Sequence, residues 1–211
     1  MSLELIDLSL TAPGASAPLF APLSLVVAPG ETVCLMGASG IGKSSLLAHI
    51  GGHLPRGFTA SGDVRLDGES VTQLPAERRG IGMLFQQAQL FPHLSVGDNL
   101  AFGLSAQVKG KVARHAAVEA ALEQAGLAGM ADRDPATLSG GQRTRAALMR
   151  TLLARPRAVL IDEPFAALDA ELRAEIRSFT LQHLQAERIP CLMVSHDPDD
   201  GTAAARRIAL G

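Results

Sequence analysis

The sequence predicts an α/β fold: a parallel-sheet core with an N-terminal antiparallel β region and an inserted α-helical lobe. Three observations lead there. Short apolar runs read as buried strands: residues 32–36 (TVCLM), ending at glycine, 81–85, followed directly by Gln86, and 158–161, ending at acids. Helical stretches alternate with these runs. The alternation then breaks from about 88 to 155, where the sequence turns helical and Ala-rich.

Taken in order, residues 3–10 and 23–28 read as antiparallel strands around an Ala-, Pro- and Ser-rich turn at 12–18. Pro29-Gly30 is a turn, and 32–36 is a buried strand. A helix runs from Lys43 to about Ile50. Residues 63–67 read as an edge-type strand. Val112–Ala125 and Gln142–Leu153 read as helices of the lobe, the second beginning after a Gly-Gly pair. A helix over about 170–187 places Leu172, Ile176 and Phe179 on one face. Strands at 190–195 and 207–210 follow. The organisation expected is one domain over 1–211. Within it, 1–87 and 156–211 form the α/β core and about 88–155 the lobe, with no C-terminal regulatory domain.

Composition narrows the function. A chain of 211 residues, 47% hydrophobic and 19% charged, is long enough for a substantial core. A formal net charge of -2 gives no basic footprint for nucleic acid. No apolar run is long enough to span a bilayer, and Met1-Ser2-Leu3-Glu4 lacks the basic start of a secretion signal. A cytosolic chain is expected, with any membrane role arising through a partner. Cys34 and Cys191 read as small buried hydrophobes. His49, His53, His93, His115 and His183 are scattered, without metal-ligand spacing.

The chemistry starts at Gly37-Ala38-Ser39-Gly40-Ile41-Gly42-Lys43-Ser44, followed by Ser45. This is a phosphate-binding loop between a strand and a helix. Its glycines let backbone N–H groups converge on phosphate oxygens at a helix N-terminus. Lys43 is expected to reach the β- and γ-phosphates, and Ser44 to offer its hydroxyl to Mg²⁺. A second apolar run, Ala158–Ile161, delivers Asp162 and Glu163 at the carboxyl end of a strand, where open α/β sheets bind ligands. Asp162 suits a magnesium-bound water, and Glu163 a general base.

With these, Leu138-Ser139-Gly140-Gly141-Gln142 resembles the signature sequence of the ATP-binding-cassette (ABC) family. Pro164-Phe165-Ala166-Ala167-Leu168-Asp169 resembles its D-loop, Gln86 stands where its Q-loop glutamine stands, and His196 where its switch histidine stands. Order and spacing agree along nearly the whole chain. Residues 90–96 resemble import-type transporter ATPases, of the kind that serve thiamine, iron, polyamines or oxyanions.

The resemblance implies a P-loop NTPase core and ATP hydrolysis with Mg²⁺, two copies sandwiching two nucleotides. Ser139, Gly140, Gly141 and Gln142 of one copy would face the γ-phosphate held by the other, and Asp169 would shape the dimer contact. Gln86 would serve the metal or the attacking water, and His196 would stabilise γ-phosphate charge. It further implies a membrane permease held by residues of about 87–98, a solute-binding protein in the same system, no nucleic acid, and a place on the cytoplasmic face of the inner membrane.

The family's adenine-stacking aromatic near the amino terminus has no counterpart here. Its expected place falls at Pro13-Gly14, Tyr and Trp do not occur, and Phe20 reads as core. Base stacking would then be weak, or supplied by an aliphatic or proline contact or by a residue elsewhere, and looser discrimination is expected: GTP should be turned over at a rate comparable with ATP in a steady-state assay, and a strong adenine preference contradicts the reading.

Overall fold

A computed structural model describes residues 1–85, 89–163, 165 and 168–210. These divide into two compact units. The first comprises Met1–Met83, Arg157–Glu163 and Leu181–Gly211, the second Leu84–Pro156 and Pro164–Thr180. The second unit thus takes in the segment after the acidic strand end as well as the helical stretch.

The first unit holds two sheets. The antiparallel one contains β1 (Leu3–Thr11), β2 (Leu23–Val27), β4 (Thr59–Leu66) and the two-residue β5 (Glu69–Ser70), in the order β2-β1-β4-β5. In β1 the buried leucines are Leu3, Leu5, Leu8 and Leu10, a spacing that breaks the two-residue period. The ladder absorbs the extra residue as a bulge between Leu5 and Leu8, with Asp7 at φ 47°. β4 is longer than the 63–67 expectation, because Thr59–Ser61 pair with Ser9–Thr11, and it lies inside the sheet, not at its edge, because β5 pairs with its other side.

The second sheet carries β3 (Thr32–Met36), β6 (Ile81–Leu84), β7 (Ala158–Asp162), β8 (Cys191–Ser195) and β9 (Arg206–Ala209), in the order β6-β7-β8-β3-β9. The pairs β3–β8, β3–β9 and β7–β8 are parallel. β3, β7 and β8 are buried almost throughout, as a sheet covered on both faces demands. Cys34 and Cys191 sit on the neighbouring strands β3 and β8, both fully buried, and burial pushes each thiol up to about 12. One apolar core joins the β1 leucines to Val33, Leu35, Leu160, Leu192 and Val194 of the parallel sheet. It includes Leu46, Leu47 and Ile50 of α1 (Lys43–Gly51), and Phe20, which is only 4% exposed.

α1 ends against a buried cation. The Arg79 guanidinium donates to the carbonyls of His49 (2.7 Å) and Ile50 (2.8 Å) in the last turn, and to Leu74 O (2.8 Å). A cation at the negative end of the helix that opens the loop is doubly favourable: it satisfies orphan carbonyls and complements the dipole.

In the second unit, α2 (Val96–Gly103), α3 (Lys111–Gln124) and α4 (Gly140–Leu153) pack around Leu100, Leu122, Leu127, Leu138 and Met149. α4 begins two residues before the expected start. Ser139 caps it, and its hydroxyl accepts the Gln142 N–H (3.2 Å) while the Gln142 side chain accepts the Ser139 N–H (2.9 Å). This capping box outweighs the poor helix propensity of two glycines. α5 (Ala170–Ala186) follows, and α6 (Pro198–Ala203) is a short helix after β8. Among the described residues no helix is long and apolar enough to cross a membrane.

Replacing Arg79 by Met removes the charged donor from the carbonyls of Ile50 and Leu74, while His49 O keeps the Gly52 N–H. The substitution should cost about 2–4 kcal/mol of stability, read from urea midpoints, because hydrogen bonds to charged groups are the strong ones.

Candidate functional site

The parallel ladder lines up three chain ends. Met36 pairs with Ser195, and Asp162 with Val194. The next residues, Gly37, Glu163 and His196, therefore leave the sheet at one edge, and the site is built there.

The loop 37–42 runs from β3 into α1. Gly37 has no room for a side chain, since a Cβ there would stand 2.9 Å from the Leu210 carbonyl oxygen. Lys43 is 6% exposed, and its ammonium donates to the carbonyls of Gly37 (2.8 Å) and Ala38 (3.1 Å). Two of its three protons are thus held by the loop itself, and the third is left for a ligand oxygen. A cavity of about 200 Å³ is lined by Ser39, Gly40, Gly42, Lys43, Ser44, Ser45 and Glu163. That is smaller than a pocket for a whole drug-sized ligand. Its volume and its lining of loop residues suit a phosphate tail.

Opposite the loop, the Ser44 hydroxyl donates to Asp162 Oδ1 at 3.0 Å. Burial raises the Asp162 carboxyl above its ordinary value, and the charge of Glu163 beside it adds to this; the Ser44 hydrogen bond and the Lys43 charge act the other way. A hydroxyl and a half-buried carboxylate held together are hard oxygen donors of the kind Mg²⁺ takes, so Ser44 and Asp162 fit that ion. Glu163 has φ 45°, a left-handed conformation costing on the order of 1 kcal/mol outside glycine. Its N–H donates to Val194 O at 3.0 Å, tying the turn to β8. Its Oε2 lies 3.0 Å from Nδ1 of His196, whose side chain is 62% exposed. The expected general base and the histidine expected at the γ-phosphate are thus in hydrogen-bond contact, a pairing that their separation in sequence did not announce.

The other expected residues lie in the second unit. Ser139, Gly140, Gly141 and Gln142 form the first turn of α4, where the N–H groups of Gly140 and Gly141 have no partner within the helix. A Cβ on Gly141 would stand 2.8 Å from Leu172 of α5, so close packing holds this position to glycine. Asp169 caps α5, accepting the Leu172 N–H at 3.0 Å. Gln86, Pro164, Ala166 and Ala167 lie outside the described residues.

A phosphate loop, two acids and a histidine at one sheet edge define a nucleotide-binding P-loop protein. The chain belongs to the ABC transporter family, whose pattern it matches over residues 20–166. It is 47% identical over 178 residues to the uncharacterized ABC transporter ATP-binding protein YnjD of Escherichia coli K12, covering 84% of this chain and 82% of that one. It is 41% identical over 191 residues to the sulfate/thiosulfate import ATP-binding protein CysA of Gloeobacter violaceus, covering 90% of this chain and 54% of that one. CysA of Mycobacterium tuberculosis H37Rv is 42% identical over 188 residues, with 89% and 53% covered. The chain therefore spans about half the length of these CysA proteins. It is an ATP-binding subunit of an ABC transporter, and by family an ATPase.

A raised Asp162 carboxyl means that its ionised form opposes folding at neutral pH. Asp162→Asn should raise the thermal midpoint of the nucleotide-free protein at pH 7 while abolishing hydrolysis. The gain should fade as pH falls through the raised range of the folded carboxyl toward about 4, and be gone below it, where the wild-type unfolded chain is protonated too. Calorimetry across that range checks it.

Proposed function

We propose that two copies of this chain bind two MgATP head to tail and drive a membrane permease for solute import, from the cytoplasmic face of the cell membrane. A solute-binding protein would deliver the cargo. The observation that carries the reading is the single sheet edge holding Lys43, Ser44, Asp162, Glu163 and His196 together. The import-type names of the CysA relatives support the direction of transport.

In this mechanism the loop N–H groups and Lys43 bind the β- and γ-phosphates. Ser44 and Asp162 would hold a magnesium ion, which would supply charge neutralisation at the phosphate oxygens. Glu163 orients and deprotonates the attacking water from its turn at the end of β7. His196, beside Glu163, moves from that carboxylate to the γ-phosphate as negative charge builds up there. The α4 N-terminus of the other copy, through Gly140, Gly141 and the Ser139 hydroxyl, closes over the same phosphate. Loss of the γ-phosphate removes the contact shared by the two copies, and the dimer reopens.

The permease surface is read from the second unit. The buried Asn99 accepts the Phe91 N–H (2.7 Å) and donates to the carbonyls of Phe91, Leu94 and Ser95 (3.1, 3.2 and 2.9 Å). The Arg150 guanidinium donates to Gln89 O (2.7 Å) and lies 5.0 Å over the Phe91 ring. The segment 89–95 is thus a fixed platform, with Phe102, 69% exposed, edge-on to Phe91 at 4.8 Å. Such an exposed aromatic edge on a rigid base suits a helix of a partner protein.

Glu163→Gln should bind ATP, turn over hardly at all and accumulate as a dimer on size-exclusion chromatography in saturating MgATP. A monomeric elution under those conditions would count against the sandwich.

A further inference from the structure

Asp200 is a buried carboxylate that the mechanism above leaves without a task. It is 3% exposed and stands four residues after His196. Burying a carboxylate is costly, so its partners are informative. One of them is Ser195, the last residue of β8, itself 2% exposed: the Ser195 hydroxyl donates to Asp200 Oδ2 at 2.6 Å. The same hydroxyl oxygen accepts the Asp197 N–H at 3.0 Å. The Asp200 N–H returns to Asp197 O at 3.2 Å, and the Asp197 carboxylate accepts the Asp199 N–H at 2.9 Å.

These bonds close a loop of six residues around His196. Ser195 and Asp197, on either side of it, are joined through the Ser195 hydroxyl, while the histidine side chain stays outside the ring of bonds and largely exposed. The strand side is fixed independently. Glu163 is tied by its N–H to Val194, one residue before Ser195. The 3.0 Å approach of His196 to Glu163 is therefore set by two backbone anchors, Val194 for the acid and Ser195 for the histidine.

We propose that Ser195, braced by Asp200, is a positioning residue for hydrolysis: its hydroxyl holds the backbone of His196 so that the imidazole can serve the Glu163 carboxylate and the γ-phosphate in turn. The proposal rests on the catalytic reading of His196 and Glu163. Displacement of a reacting group by a fraction of an ångström slows chemistry without weakening ground-state binding, so the effect belongs in kcat.

The test is steady-state ATP hydrolysis by the purified full chain carrying Ser195→Ala, Ser195→Thr, Asp200→Asn or His196→Ala, and the first and third of these combined with His196→Ala. Ser195→Ala should lower kcat about tenfold with KM for ATP unchanged, and Ser195→Thr, which keeps the hydroxyl, should restore most of the rate. Asp200→Asn should lower kcat by a smaller factor. Neither Ser195→Ala nor Asp200→Asn should slow the residual rate of His196→Ala further, because a positioning effect has nothing left to act through. Equal proportional losses in the two backgrounds would assign both residues to general stability and overturn the proposal, as would an unchanged kcat in folded Ser195→Ala. Should Ser195→Ala fail to fold, as judged by thermal melting, the Asp200→Asn pair decides by the same criterion. Failure of the underlying site looks different: His196→Ala would then hydrolyse ATP at the wild-type rate.

Discussion

The register of the parallel ladder is the constraint on which the site depends. β3, β7 and β8 are each buried nearly end to end, so none can slide by a residue without placing polar groups in the core. With register held, Asp162 falls beside Val194 and Met36 beside Ser195. The phosphate loop, the two acids and the histidine then meet although well over a hundred residues separate the first from the last. Core packing and site geometry are in this sense one fact: the valines, leucines and isoleucines that gain by burial also deliver the polar residues to a common edge.

That edge is polar where the strands are not, and its groups are satisfied by one another. Lys43 rests on loop carbonyls, Ser44 on Asp162, His196 on Glu163. Each contact is of a kind that a phosphate oxygen, a metal ion or a water can replace, because the partners are hydrogen bonders and charges on short tethers. The two features that hold shape without being replaced are backbone features: the left-handed turn at Glu163 and the close approach of Gly37 to the terminal strand. Geometry thus resides in the chain, and exchangeable bonds reside in the side chains.

Much of this was legible in the sequence, for reasons that can be named. Apolar runs ending in glycine or acids located β3 and β7, and the loop's own residue pattern located α1. What escaped depended on partners distant in the chain. Residues 59–62 (TASG) look like a loop and become strand only because β1 offers Ser9–Thr11 as partners. The leucines at 3, 5, 8 and 10 held a bulge signal, since two pairs in alternation are separated by one residue too many. The early start of α4 also has a sequence signal, since Ser139 and Gln142 stand at capping-box spacing across the Gly-Gly pair. The Ser195–Asp200 bond has no local sequence signature, because it joins a strand end to a short helix whose placement only the fold decides.

The nearness of Gly37 to Leu210 has a mechanical side. β9 lies at the edge of the parallel sheet, bonded to β3 alone within it, and the Leu210 N–H donates to Met36 O at 2.7 Å, at the threshold of the phosphate loop. Tension applied to the last strand therefore passes into β3 and the loop that follows it. A surface tether, an optical-trap handle or a fused protein attached beyond residue 210 would pull on the nucleotide grip itself, whereas the same attachment at the amino end would load the antiparallel sheet through β1.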